Sequence, residues 1–389
     1  MIDTIRNAWK IIDLRKKILY TILMIIIFRL GSCIPVPLLD PAAMKEIFTS
    51  DNSLFGFIDV ISGGAFQNAT IFAMSITPYI NSSIIMQLLT VAIPGLERLQ
   101  KQGEDGRKKI AQITRYGTVV LAFIQAIGLY FMLKSYNAVT NPGLLTAVVV
   151  IFTFTAGTAF LMWLGEQITE KGVGNGISLI IFAGIVSRLP SMAQSLYAYA
   201  KGGGIGLIGV VALLIMIVVV VGLVVMMNEA ERRIPVQYAK RVVGRKMYGG
   251  QSTHIPIKVA SAGVIPIIFA MSIMSFPSTI AGFFGVTSQT GGFWGGFLKI
   301  FSSTSWVYAI LYFLLIIFFT YFYTAIQFNP IEMSNNMKKN GGFIPGIRPG
   351  RPTSEYISKT LSRITLVGAI FLGLIAILPI FINLGLGIN

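Results

Sequence analysis

The chain is expected to be an all-α polytopic membrane protein, and three observations point there. Of its 389 residues, 54% are hydrophobic and only 12% charged, with a mean hydropathy of +0.75. Soluble chains run near 25% charged, so polar surface is too scarce here to clothe globular cores. Nine apolar runs approach or exceed the ~20 residues that a helix needs to cross a bilayer core of about 30 Å. The cations between those runs alternate between a rich side and a poor side. One cysteine and one histidine exclude a disulfide framework, a thiolate cluster and any site needing two imidazoles, so no metal or cofactor is expected.

The nine runs are roughly 18–36, 69–93, 110–133, 143–165, 177–199, 205–227, 259–282, 305–327 and 363–387. The first is longer than a signal-peptide core and no small-residue cleavage site follows it, so it reads as a permanent span. Proline and glycine interrupt several runs, which membranes tolerate where neighbours satisfy the freed backbone. The N-terminus and alternate loops hold 25 of the 31 Lys and Arg residues. The other side holds Arg29, Lys45, Lys134, Arg188, Lys201 and Lys299. That split predicts a cytoplasmic N-terminus, and nine spans then leave Asn389 outside.

The segment 51–68 precedes the second run on the outer side. Leu54, Phe55, Ile58 and Ile61 recur at helical spacing, and Gly63-Gly64 ends the pattern. It is too short to span. Two readings fit: an interfacial helix on the outer leaflet, or a re-entrant helix that blocks a pore. Arg29 and Arg188 are expected to sit near outer helix ends and snorkel.

The second run contains Thr77-Pro-Tyr-Ile80-Asn-Ser-Ser-Ile84-Ile-Met-Gln87, with Ile80 and Ile84 on one face. The fifth holds Ile181 and Ile185 at the same spacing, and the seventh contains Val264-Ile-Pro-Ile-Ile268-Phe. Composition alone assigns all of these to lipid or packing.

Two cytoplasmic loops, 228–258 and 328–362, are long, polar and basic. They read either as solvated charge or as a docking platform for a large cytosolic partner. Gly341, Gly342, Pro345, Gly346, Pro349, Gly350 and Pro352 make the second loop turn-rich and shaped.

Several chemistries lack their residues. The spans carry almost no mid-membrane carboxylates or histidines, which argues against ion-coupled transport. No G-x-x-x-x-G-K-[ST] or H-E-x-x-H occurs. Gly204-Ile-Gly-Leu-Ile-Gly209 fits G-x-G-x-x-G but follows no strand, and Asn68-Ala-Thr70 and Asn81-Ser-Ser83 fit a glycosylation pattern short enough to arise by chance. The chain is therefore not expected to be an enzyme. A small-solute secondary transporter is the alternative to a channel; it would need a polar mid-membrane site, which only the scattered Thr77, Asn81, Ser82, Ser83 and Gln87 could provide.

Six stretches carry a resemblance. They are Ile71-Phe-Ala-Met-Ser-Ile-Thr-Pro-Tyr-Ile80, Gln102-Gly-Glu-Asp-Gly-Arg-Lys-Lys109 and Gly165-Glu-Gln-Ile-Thr-Glu-Lys-Gly-Val-Gly-Asn-Gly-Ile-Ser178. Gly250-Gln-Ser-Thr-His-Ile-Pro-Ile-Lys258, Ala262-Gly-Val-Ile-Pro266 and Gly342-Phe-Ile-Pro-Gly-Ile-Arg-Pro-Gly350 follow. The chain resembles the SecY family of protein-conducting channels from its first span to its last. The resemblance implies a clamshell of two pseudo-symmetric halves, 1–199 and 200–389, around an hourglass pore. It implies an apolar pore ring at Ile80, Ile84, Ile181, Ile185 and Ile268, gating by exclusion of water. Residues 53–63 would be the plug, with Leu54, Phe55, Ile58, Ile61, Gly63 and Gly64. Spans two and seven would form a lateral gate, with Thr77, Gln87 and Phe276 along it, releasing apolar segments into lipid. Arg241, Arg245, Lys246, Arg348 and Arg351 would seat the SecA ATPase or a ribosome, and SecE and SecG would be partner subunits in a bacterial inner membrane. Signal sequences and unfolded polypeptides would be the cargo. The family has ten spans; nine are counted here and the tenth, with its sixth ring residue, is not among them.

Overall fold

The computed structural model describes residues 9–40, 43, 59, 62–135, 137–201, 207–238, 241–243, 246–248, 252–283, 296 and 305–386. Contacts divide the chain into two units, residues 1–204 with 275–303 and 389, and residues 205–274 with 304–388. Among the described residues, six helices are long and apolar enough to cross a membrane: Glu104–Lys134, Leu144–Lys171, Gly176–Tyr197, Val211–Glu229, Trp306–Lys339 and Arg351–Ile382. A bent pair, Thr77–Ala92 with Pro94–Lys101, makes seven if taken as one span.

The described helices thus do not confirm the expected nine, and two of the expected spans stand outside this count. The first expected span is α1 (Ile12–Gly31), which opens with Asp13, Arg15, Lys16 and Lys17 and ends near Arg29, leaving a short apolar middle. The seventh is helical over Ile265–Phe283 with Pro277 inside it, and its apolar part among the fully described residues is Ile265–Ser275.

In the first unit α1 is followed by α2 (Thr77–Ala92), α3 (Pro94–Lys101), α4 (Glu104–Ser135), α5 (Leu144–Lys171), α6 (Gly176–Ser187) and α7 (Leu189–Lys201). Pro78 stands in the first turn of α2, where its missing N–H costs nothing. Pro94 likewise opens α3, and the chain bends by 100° between the two helices. Two clusters fill the unit. Val36, Phe66, Ala126, Tyr130, Val150 and Phe154 belong to one, between α4, α5 and the outer loops. Met24, Phe28, Phe72, Ile76, Leu161, Leu164, Ile168 and Ile180 form the other, where α1, α5 and α6 meet.

The corner from α5 to α6 explains why 165–178 is so particular in sequence. A Cβ on Gly176 would stand 1.9 Å from the Gly165 carbonyl oxygen, so only glycine permits this crossing. Asn175 caps α6 by accepting from the Ser178 N–H at 3.2 Å. The Gly176 N–H donates to Thr169 Oγ1 at 2.9 Å, and the Val173 N–H to Thr21 Oγ1 of α1 at 3.1 Å.

The second unit contains α8 (Leu207–Glu229), β1 (Glu231–Tyr238), β2 (Arg241–Val243), β3 (Lys246–Tyr248) and β4 (Ser252–Lys258). α9 (Ile265–Phe283) begins in it, and α10 (Trp306–Gln327), α11 (Pro330–Lys339), β5 (Gly342–Phe343) and α12 (Arg351–Leu386) complete the order. α8 is apolar on all sides, and its hydrophobic window buries nothing within the structure, as suits a lipid-facing helix. α10 packs on α12, with Trp306 against Phe381, Phe313 over Gly373 and the Tyr321 hydroxyl donating to the Ser362 carbonyl at 3.1 Å, and Phe319 meets Phe269 of α9.

The loop 228–258 is not merely polar and basic: it folds into β1, β2, β3 and β4. β1 pairs antiparallel with β4 from Glu231↔Lys258 to Gln237↔Ser252, and with β5 at Gln237↔Phe343 and Tyr238↔Gly342. β2 and β3 form a separate hairpin. Pro235 and Pro256 hide these strands from sequence reading, because proline argues against a central strand. Here β5 reaches only Gln237 and Tyr238, so β1 is an edge at Pro235 on that side.

Candidate functional site

The first four candidate ring residues lie on α2 and α6. Ile80 and Ile181 are half-buried and each packs on the rim of the cluster that contains Phe72, Ile76 and Ile180. Ile84 is nearly buried at 8% exposure, while Ile185 is 42% exposed. Ile268 is half-buried on α9 in the second unit. Thr77 and Gln87 are half-buried on α2; the side chain of Phe276 lies outside the described residues. Ser82, one of the few polar groups available to a solute site, donates to the Thr114 carbonyl at 2.9 Å and is committed to packing α2 on α4.

The outer segment is described at Asp59 and from Ser62 onward; Leu54, Phe55, Ile58 and Ile61 lie outside the described residues. Backbone is helical at Asp59 and Ser62 and turns at Gly63 and Gly64, whose φ values are 66° and 86°. A Cβ on Gly63 would come within 2.9 Å of Gly184 Cα on α6 and 3.0 Å of Arg29 Nη1. Arg29 donates to the Gly63 carbonyl at 3.3 Å. Asp59 forms an ion pair with Arg188, and its Oδ1 accepts the Gln67 N–H at 2.8 Å. The Asp59 side chain is 2% exposed.

The expectation that Arg29 and Arg188 simply snorkel is therefore corrected: both turn inward onto the outer segment. Charge lowers its energy by pairing when a carboxylate is within reach. The signal was present in Asp59, one of two aspartates in the segment 51–68 on a side with only six cations, but nothing local says which cation it meets.

On the basic side the two loops share one core. Ile234, Val236 and Ile257 of the sheet pack with Met337 of α11, Ile344, and Ile357 and Leu361 of α12. This core holds the segment 344–350 in place. Thr353 Oγ1 donates to the Arg348 carbonyl at 2.9 Å and Ser334 Oγ to that of Gly350 at 2.8 Å, while the Arg348 side chain is exposed. Arg351 is exposed and paired with Glu355 at 3.0 Å. Arg241 and Lys246 lie on β2 and β3 with side chains outside the described residues, as is Arg245 entirely. On α3 the Lys101 ammonium, hydrogen-bonded to Glu97 at 2.6 Å, holds that carboxyl below its usual range. Arg115 and Glu166 join α4 to α5 at 2.6 Å. Among the described residues no group of three or more His, Cys, Asp or Glu side chains is placed to hold a metal.

Comparison with known proteins supplies the frame for these features. The SecY family model matches residues 70–388. The protein translocase subunit SecY of Halalkalibacterium halodurans is 47% identical over 98% of this chain and 89% of its own length. Among solved structures, one of SecY concerned with its plug domain and the closed state aligns with a TM-score of 0.67 at 20% identity, over 93% of this chain and 85% of that one. Sec61 from a canine ribosome-channel complex aligns with a TM-score of 0.59 at 17% identity, over 92% and 84%. A family model over residues 70–388 and identity sustained along nearly the full length agree, and the chain belongs to the SecY family of protein translocase subunits.

Proposed function

We propose that this chain is the pore-forming subunit of a multi-pass, membrane-embedded protein translocase, passing unfolded polypeptides across the bilayer and releasing apolar segments sideways. The observation that carries this reading is 47% identity to a SecY subunit over 98% of the chain. A channel of this kind needs no nucleotide motif of its own, because the driving energy comes from a bound motor or ribosome.

In this reading the ring is Ile80, Ile84, Ile181, Ile185 and Ile268, contributed by the halves 1–199 and 200–389. A constriction of branched apolar side chains excludes water and ions yet yields around any passing side chain, whereas a charged ring would trap or repel segments. Half-burial of Ile80 and Ile181 against one cluster supports this: each is anchored on one side and has a surface left to present. The outer segment with Gly63 and Gly64 serves as plug, and α2 and α9, with Thr77, Gln87 and Phe276, as lateral gate. Arg241, Arg245, Lys246, Arg348 and Arg351 dock the SecA ATPase or a ribosome, SecE and SecG complete the complex, and it resides in a bacterial inner membrane with its N-terminus in the cytoplasm.

The test uses the single cysteine. With the exposed Cys33 replaced by serine, a cysteine introduced as Ile80→Cys or Ile268→Cys is expected to crosslink to a precursor stalled in transit. The complex carries SecE and SecA. Absence of adducts at every ring position while the precursor is translocated would overturn the ring assignment.

A further inference from the structure

We propose that the groove between the turn into α11 and the base of α12 binds the phosphate group of an anionic phospholipid, drawn from the leaflet on the cation-rich side of the chain. The inference goes beyond the channel reading and stands without it, since it needs only that the chain is embedded in a membrane. The groove has a volume of about 630 Å³, within the roughly 300–1,000 Å³ usual for small-ligand sites. The turn at Asn329 and Ile331 forms one wall, and α12 between Ser354 and Arg363 forms the other.

The sequence of α12 explains what its wall presents. Ser354, Ser358 and Ser362 recur every four residues and share one face, and Glu355, Lys359 and Arg363 form a second stripe beside it. Ile357 and Leu361 flank the serines on their other side. Both are buried in the core shared by the two basic loops, so the hydroxyl stripe stands on a fixed backbone. The charge stripe is not neutral. Glu355 is paired with Arg351 at 3.0 Å, while among the described residues neither Lys359 nor Arg363 meets a carboxylate. Two exposed cations one turn apart, beside a row of hydroxyl donors, match what a phosphate requires: charge to balance and several oxygens to receive hydrogen bonds. The N-terminus of α11 is not the source of this preference. The Asn329 side chain already accepts from the Ile331 and Glu332 N–H groups there, at 3.1 and 3.3 Å.

Depth decides between a phospholipid and a soluble phosphate. Arg363 is the last charged residue before an apolar stretch that runs from Ile364 to Leu386. α10 carries no charge from Trp306 to Gln327. The Tyr321 hydroxyl, near its end, donates to the Ser362 carbonyl at 3.1 Å and sets the two helices level. The groove thus opens where the apolar lengths of two spanning helices finish, at the height of lipid phosphates rather than in bulk water. Ile331, exposed on the opposite wall, offers carbon to the glycerol backbone of a lipid. Each Lys or Arg near an anionic membrane surface strengthens the attraction about fivefold, and this groove holds two such cations.

The test measures alkylation of a cysteine placed in the groove, with the full chain and its partner subunits in lipid nanodiscs. Ser358→Cys is introduced in the Cys33→Ser background and treated with uncharged N-ethylmaleimide. An equal mixture of phosphatidylglycerol and phosphatidylcholine is expected to slow the reaction about tenfold relative to phosphatidylcholine alone. Adding Lys359→Gln and Arg363→Gln is expected to remove most of that protection. All three side chains are exposed, so these changes leave the fold intact. No slowing by phosphatidylglycerol overturns the proposal. Protection that persists without the two cations reports only a charged membrane surface, and also overturns it. Equal protection by inorganic phosphate in phosphatidylcholine discs would assign the groove to a soluble anion instead. A reaction already slow in phosphatidylcholine, and quickened only when the partner subunits are left out, would assign it to a protein partner; either result sinks the lipid site.

Discussion

A methyl group at Gly176 has nowhere to go, because the Gly165 carbonyl oxygen already occupies the space 1.9 Å from where its carbon would stand. Neither backbone can retreat easily. α5 is tied to the corner by Thr169 and α1 by Thr21, each accepting a backbone N–H from the turn. Gly176→Ala is therefore expected to destabilise the first unit by about 1–3 kcal/mol, the usual cost of overpacking a close-packed site. Thermal unfolding in detergent micelles measures it, and an unchanged midpoint would contradict the crossing. The same corner presents Ile180 to the core and Ile181 to its rim. A shift there moves the candidate ring as well as the fold.

The basic loops gain their shape from one small core rather than from their charge. Strand alternation on β1 sends Ile234 and Val236 inward while Arg233, Pro235 and Gln237 face out. α11 and the base of α12 close the other side. Two substitutions separate shape from charge. Ile234→Ala is expected to cost about 2–5 kcal/mol locally, which loosens the Arg348 segment, raises protease sensitivity in 328–350 and impairs motor or ribosome coupling. Arg348→Glu is expected to impair coupling equally while leaving the protease pattern unchanged, since the side chain is exposed and only its backbone carbonyl is used. Normal translocation by Arg348→Glu would remove this residue from the proposed docking surface.

A formal charge of +16, with 25 of 31 cations expected on one side from the order of the apolar runs, predicts a strongly polarised protein. Affinity for a polyanionic partner such as a ribosome is expected to fall steeply with salt, since exposed charges are screened beyond a Debye length of about 10 Å at 0.1 M, and cations binding a nucleic acid release its counterions. Co-sedimentation across a salt series measures the slope, and a flat response would argue for an apolar contact instead. The same charge asymmetry was legible at once in the sequence, together with the apolar runs and the motif stretches. Partitioning between water and lipid is additive along a chain, so each segment declares its medium without help from the others. Composition and alternation of charge were thus enough for a polytopic helical protein with a basic face, and the motif stretches for its family. Contacts between distant segments have no such local signature. The meeting of Asp59 with Arg188, the sheet concealed by Pro235 and Pro256, and the core shared by two loops arise only when the chain has closed on itself. They depend on distances across the fold, which no single stretch of residues records.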